Sequence, residues 1–255
     1  MIAIISPAKS LDFSRETFTR TASQPVFQDE AQVLVDVLKK YSPGKLAKLM
    51  RINPKLAQLN FERYQEWQLP FTETNAKQAI YAFRGDVFLG IDAPGFKQED
   101  ISFAQDHLRI LSGLYGLLRP LDLIQPYRLE MSTSLTFRRI KSLYQFWGSK
   151  IAIALKEEVL ASKEAVLINL ASQEYYKVLD EYFRDVNVIT PVFKEFKNGQ
   201  YKFIHVFGKK ARGLMTRFII DRKIDRAEEL KLFDYAGYYY NDLLSSGNEW
   251  VFTRR

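Results

Sequence analysis

The chain has 255 residues, with 37 basic and 30 acidic side chains, a net charge of +7 and no cysteine. At 47% hydrophobic and 26% charged it can bury a sizeable core, which excludes collagen-like, low-complexity and disordered classes. Without cysteine there is no disulfide framework, no thiolate nucleophile and no Cys-based zinc or iron–sulfur site. No apolar run approaches the roughly 18–20 residues of a membrane span. The opening residues 1–5 are too short for a signal-peptide core, so the expected setting is cytoplasmic, with no membrane partner.

In chain order, the apolar residues 2–5, stopped by Ser6-Pro7, predict a short buried strand. Residues 28–40 carry Val33, Leu34, Val37 and Leu38 at helical spacing. Ser42-Pro43-Gly44 breaks the chain before a short helix with Leu46, Leu49 and Met50. Asn53-Pro54 breaks it again before a third helix with Leu56, Leu59, Tyr64 and Trp67. The run 87–91 predicts a strand. Residues 99–112 predict a helix with Glu99 and Asp100 in its first turn and Gly113 as its stop.

Residues 113–134, with two prolines and leucines that keep no period, predict a packed irregular segment, and 142–160 a helix. Residues 166–169 predict a second buried strand, running into Ser172 as the N-cap of a helix that holds Tyr175, Tyr176 and Leu179. Two β-rich runs, 188–197 and 200–207, flank Asn198-Gly199, the preferred pair for a type I′ hairpin turn. A basic helix over 209–223 comes next, with Ala211, Leu214, Met215 and Phe218 as its core stripe. Val251-Phe252 predicts a last edge strand. No repeat or linker interrupts the chain. The expected fold is a single mixed α/β (α+β) domain over 1–255, with a mixed sheet, a long Asn-Gly hairpin and a helical subregion at 28–67.

The excess charge is concentrated. Residues 194–226 hold ten basic side chains against Glu195, Asp221 and Asp225, a net of +7, and residues 39–61 hold six with no acid at all. Two such blocks on a mildly acidic body suit a polyanion, above all nucleic acid. The alternative is a pair of ordinary lysine-rich solvated faces.

Several clusters are candidates for chemistry. At the start of the 209–223 helix, Lys209, Lys210 and Arg212 sit where the helix dipole disfavours cations. A bound phosphate would relieve that; otherwise the side chains point into solvent. Ser6, Lys9, Ser10 and Asp12 follow the first buried strand, and Asn169, Ser172 and Glu174 follow the second. If the strands are parallel neighbours, both clusters face the crevice beyond their carboxyl ends. Otherwise Ser10 and Ser172 are helix caps and Lys9 is a surface lysine. Arg119, Asp122, Arg128 and Glu130 are either anion-binding forks with their carboxylates nearby or internal pairs that hold the loop.

His107 and His205 are the only histidines, and His205 alternates in phase with Tyr201, Phe203 and Phe207, as a half-buried strand residue would. No Walker-type loop, dinucleotide fingerprint, His-x-x-x-His pair or nucleophile elbow is present, so no cofactor and no metal site is expected. The 28–67 subregion is compatible with a helix-hairpin-helix, a motif that binds duplex backbones without reading sequence. Its hairpin falls at 42–45 or at 51–54, with Lys45, Lys48, Arg51 and Lys55 around it as DNA-binding candidates. The usual glycine pair is incomplete, since Gly44 stands alone.

Residues 5–12 (ISPAKSLD), 107–122 (HLRILSGLYGLLRPLD), 125–131 (QPYRLEM), 168–172 (INLAS) and 209–215 (KKARGLM) together resemble, in order, the signature of the YaaA peroxide-stress protein family. The resemblance spans nearly the whole chain. It implies a cytoplasmic bacterial protein of the oxidative-stress response, linked to keeping free intracellular iron low. It also implies a mixed α/β fold with a helix-hairpin-helix and a basic cleft that binds DNA. Lys9, Arg119, Arg128, Lys209, Lys210 and Arg212 are the motif residues that would line that cleft.

Two functions are therefore weighed. The leading one is largely sequence-independent binding of duplex DNA, with damaged or structured forms left open and no protein partner read from the chain. The competing one is a metal-independent enzyme acting on a nucleic-acid base or nucleotide. In that case Asp12, Asp122, Glu130 or Glu174 is the general acid or base, with Lys9 as electrostatic partner.

Overall fold

The computed structural model describes residues 1–14 and 19–255. Among these, eight strands form the main sheet: β1 (Ile2–Ile5), β2 (Leu108–Ser112), β3 (Gly116–Leu118), β4 (Val166–Leu170), β5 (Asn187–Lys197), β6 (Gln200–Lys202), β7 (Tyr239–Tyr240) and β8 (Glu249–Arg254). Their order is β7-β8-β5-β4-β1-β2-β3, with β6 paired on β5. The run from β2 through β1, β4 and β5 to β8 is parallel, and β3, β6 and β7 are antiparallel additions. Ala3 stands between Leu108 on one side and Ile168 on the other. Every residue of β1, β2 and β4 is buried, so these strands read as near-continuous apolar runs, interrupted by the buried Arg109, Ser112 and Asn169, rather than alternating ones. The fold is the expected mixed α/β one.

Strand order reverses between β1 and β4, the place where an open α/β sheet leaves a crevice beyond its carboxyl ends. The two buried strands, β1 and β4, are parallel neighbours, so the condition under which their polar clusters face one crevice is met.

Besides a single turn at Ala79–Ala82, the α-helices among the described residues are α1 (Gln28–Leu38), α2 (Pro43–Met50), α3 (Pro54–Glu66), α4 (Asp86–Ile91), α5 (Gln98–His107), α6 (Leu143–Trp147), α7 (Lys150–Ala161), α8 (Gln173–Tyr176) and α9 (His205–Asp221). Ser42 and Asn53 cap α2 and α3: their side chains accept from the Lys45 and Leu56 amides, and Pro43 and Pro54 occupy the first helical position. The Asn198-Gly199 turn joins β5 and β6, both residues having positive φ (54° and 78°) as a type I′ turn requires.

Several boundaries differ from the sequence expectation. Residues 87–91 are helical, not a strand, because a five-residue apolar run carries no period that separates the two. The helix expected over 99–112 ends at His107, and residues 108–112 form a central strand covered on both faces. The segment 113–134 includes β3 and the short strand Leu123–Ile124 rather than being wholly irregular. The helix expected over 142–160 is two, separated at Gly148, whose φ is 49°. The last strand is not an edge, since β7 pairs on its outer side.

The most consequential difference is at α9, which begins at His205. The second β-run therefore stops at Lys202, and His205 is an exposed first helical residue rather than half-buried in a strand. Ile204 precedes it and offers no capping side chain, so the usual polar start signal is missing. Lys209, Lys210 and Arg212 consequently lie in the second turn and not on the dipole's positive end.

Candidate functional site

The carboxyl ends of β1 and β4 deliver Ser6 and Ser172 to the same point. The Ser172 amide donates to Ser6 Oγ at 2.8 Å, and Ser6 Oγ donates to Ser172 Oγ at 3.2 Å. Ser172 holds the N-cap position of α8, yet its hydroxyl makes no capping bond; it goes to Ser6 instead. This pair sits at the head of a cleft of about 460 Å³, within the usual size range of small-molecule sites.

Three other segments wall the cleft. Residues 127–130 cross beyond the end of β2, where the Tyr127 hydroxyl bonds Ser112 Oγ at 2.7 Å and the Tyr64 hydroxyl of α3 donates to the Arg128 carbonyl. Gly85-Asp86-Val87-Phe88 at the start of α4 forms a second wall. The third is α9, which contributes Lys209 and Arg212. Helices α4 and α9 cross in close contact, so the second and third walls are a rigid pair.

The lining carries five cations, Lys9, Arg84, Arg128, Lys209 and Arg212, against Asp86, Glu130 and Glu174. Glu130 is occupied by Arg128 at 2.7 Å and Lys9 at 3.2 Å. Glu174 accepts from the Ser132 amide at 3.0 Å and its hydroxyl at 2.8 Å. Among the described residues neither Lys209 nor Arg212 has an ion pair, and the buried Nε of Arg128 has no acceptor. Arg212 is largely buried, and that burial lowers its pKa from the ordinary guanidinium value.

The cleft brings together Lys9, Arg128, Glu130, Glu174, Lys209 and Arg212 of the residues singled out in the sequence. Lys210 is exposed on α9 but does not line it. Asp12 lies outside, and the Ser14 amide and Arg84 guanidinium beside it hold its carboxyl well below the usual carboxylate range. An acid so stabilised in its ionised form is a poor proton donor or acceptor near neutral pH.

Arg119 and Asp122 do not reach the cleft, because β3 turns back antiparallel along β2 and carries them to the opposite end of that strand. There Arg119 joins Arg109 on Glu158, at 3.3 Å and 2.5 Å, around a second pocket of about 230 Å³. Asp122 is buried in the same place, accepting from Ser23 Oγ at 2.6 Å and the Arg119 amide at 2.7 Å, and burial pushes its pKa up to about 6. Lys45, Lys48, Arg51 and Lys55 are all exposed on α2, α3 and the turn between them.

Tyr127, Tyr175, Arg84 and Asp86 line the cleft without having been singled out. The first two sit beside residues that were noticed, inside or next to strongly patterned stretches. The last two lie in the turn before α4, which the strand expectation for 87–91 had obscured.

Fold and site thus define a mixed α/β protein with a basic cleft beyond the switch point of its parallel strands. The chain belongs to the YaaA family: residues 1–244 match the family described as Peroxide stress protein YaaA. A UPF0246 protein of Cellvibrio japonicus is 52% identical over 254 residues, covering all of this chain and 98% of that protein. A UPF0246 protein of Colwellia psychrerythraea is 51% identical over 255 residues, covering all of this chain and 99% of that one. This is therefore a member of a peroxide stress protein family. No described helix is long and apolar enough to cross a membrane.

Proposed function

We propose that this peroxide stress protein acts on DNA, binding duplex with little sequence preference and shielding it from oxidative damage in the cytoplasm. The observation that carries the reading is the face built by α2 and α3. Lys45, Lys48, Arg51 and Lys55 are all exposed there, no acid occurs from residue 39 to residue 61, and none of the four is held in an ion pair among the described residues. Arg51 caps the end of α2 in the left-handed region, φ 52°, and Asn53 caps the start of α3, so the two helices pack as a pair around a turn of three residues, Arg51-Ile52-Asn53. That supports the second of the two hairpin placements, at 51–54, as the helix-hairpin-helix element.

Phosphate contacts of this kind supply sequence-independent affinity that falls steeply with salt. The family's link to low free iron is indirect in this reading. A chain with no cysteine and two histidines has few of the soft or imidazole ligands that a dedicated transition-metal site uses. The deciding experiment is a salt titration of binding to duplex, single-stranded and damaged DNA. Affinity that is flat between low and moderate salt overturns the proposal.

A further inference from the structure

Burying a guanidinium without a counter-charge is unfavourable, so an unpaired one facing a cavity points to a missing anion. The cleft holds two guanidinium groups with unused donors. Arg212 has no side-chain partner among the described residues, and Arg128 leaves its buried Nε unpaired while its Nη2 bonds Glu130. Lys209, which has no ion pair among the described residues, stands beside them, and the Ser6 and Ser172 hydroxyls add small polar groups. Arg84 is engaged by Asp12, and Lys9 and Arg128 share Glu130, so Lys209 and Arg212 are the two lining cations without an ion pair among the described residues; together they match a phosphate monoester, which carries about −1.5 to −2 near pH 7. An internal phosphodiester carries only one negative charge and would leave one of those two cations unmatched.

Apart from Ser10, the remaining lining is largely apolar and includes Pro7, Ala8, Val87, Phe88, Tyr127 and Tyr175. At about 460 Å³ the cleft is far larger than an inorganic phosphate needs, and its aromatic edges suit a planar ring. We propose that the cleft is a binding site for a nucleotide bearing a terminal phosphate monoester, with the phosphate on Arg212, Arg128 and Lys209 and the base against the apolar lining. Two sources present this chemistry, a free mononucleotide and a phosphorylated DNA end. The second rests on the DNA-binding reading, whereas the first does not.

Calorimetric titration of the whole protein with deoxyadenosine 5′-monophosphate, deoxyadenosine and inorganic phosphate tests the shared chemistry. The monophosphate is expected to bind best of the three. Arg212→Gln and, separately, Lys209→Gln should each weaken it by about tenfold or more, as loss of a charge-assisted hydrogen bond implies. Lys209 is exposed, so its variant keeps the test valid even if Arg212→Gln fails to fold. Absence of monophosphate binding at millimolar concentration, equal binding of deoxyadenosine, or unchanged affinity in Lys209→Gln overturns the proposal.

Oligonucleotides differing only in a 5′-phosphate or 5′-hydroxyl then separate the sources. A preference for the phosphorylated end that disappears in Lys209→Gln supports the strand end, and monophosphate binding without that preference supports the free nucleotide. Neutralising Lys45 and Lys48 should weaken duplex binding and leave monophosphate binding intact. If duplex binding is absent while the monophosphate binds, the DNA reading fails and the nucleotide site stands.

Discussion

Gly213 on α9 lies against Gly90 on α4 so closely that a Cβ on Gly213 would stand 2.9 Å from the Gly90 Cα and 2.0 Å from the Val87 carbonyl oxygen. Real Cβ atoms do not approach backbone at such distances, so only glycine permits this crossing. The contact fixes where α9 passes over the sheet and hence where Lys209 and Arg212 stand relative to residues 85–88. Helix propensity alone disfavours glycine in a helix interior by about 1 kcal/mol relative to alanine, so both positions trade local stability for approach.

Gly213→Ala is accordingly expected to destabilise the fold by about 2 kcal/mol or more, because the methyl meets backbone that cannot give way. Gly44→Ala serves as the matched control. It lies in α2 with nothing within 4 Å of a built Cβ, and should stabilise by a few tenths to about 1 kcal/mol. Urea unfolding of the two variants checks both signs. Equal destabilisation by the two would remove the argument from close approach.

The contrast between legible and illegible parts of the fold has physical causes. Ser42-Pro43 and Asn53-Pro54 mark the starts of α2 and α3 because each places a capping side chain before a proline and is followed by apolar residues at helical spacing, which Ser6-Pro7 is not. Asn198-Gly199 marks the β5–β6 hairpin through its φ requirement. By contrast, residues 87–91 and 108–112 are both short and largely apolar, one a helix and the other a strand; what separates them is tertiary, the Gly90 crossing in one case and the neighbours β1 and β3 in the other. Lys9, Glu130, Glu174 and Arg128 could be gathered from strand ends and motif resemblance. Arg119 and Asp122 could not be separated from them, because the reversal at 113–115 that sends them to the far end of β2 follows from pairing, not from local pattern.

Asp122 should impose a pH dependence on stability. Burial lifts its pKa from 3.8 to about 6 in the folded protein, against the opposing effect of the Ser23 hydroxyl and the Arg119 amide. The folded state therefore holds this proton more tightly than the unfolded chain. The stabilisation is fully present below the unfolded value and is lost as pH rises through about 6. Relative to Asp122→Asn, which does not titrate, the native protein should lose about 2–3 kcal/mol between pH 4 and pH 7. Denaturant midpoints of both proteins at four pH values give the comparison, and parallel profiles would show that Asp122 has no raised pKa.

On the helical face, changing Lys45, Lys48, Arg51 and Lys55 together to glutamine should weaken duplex binding equally across sequences. The slope of log affinity against log salt should shrink by about 0.9 for each phosphate that the variant no longer neutralises. All four side chains are exposed and Arg51 already occupies the left-handed region, so circular dichroism and melting temperature should stay near the native values. An unchanged salt slope in a folded variant would move the duplex-binding face away from α2 and α3.

Arg212 offers the sharpest division between stability and binding. Because α9 begins at His205, Arg212 is the eighth helical residue, and dipole relief contributes little when it is changed. What remains is a largely buried guanidinium with no acid beside it among the described residues, its charge disfavoured by desolvation. Arg212→Met keeps most of the aliphatic stem packed and removes the charge, so the protein alone should hold its stability or gain about 1 kcal/mol. Ligand linkage should go the other way. Saturating deoxyadenosine 5′-monophosphate should raise the native melting temperature through selective binding to the folded state, and the variant should show little of that rise. Lys210→Gln, on the same helix but outside the cleft lining, should melt and respond to the nucleotide as the native protein does. Thermal scans of the three proteins with and without nucleotide read all of these effects together. An Arg212→Met protein that melts lower alone yet still gains the full nucleotide shift would assign Arg212 to holding the fold and not to the anion.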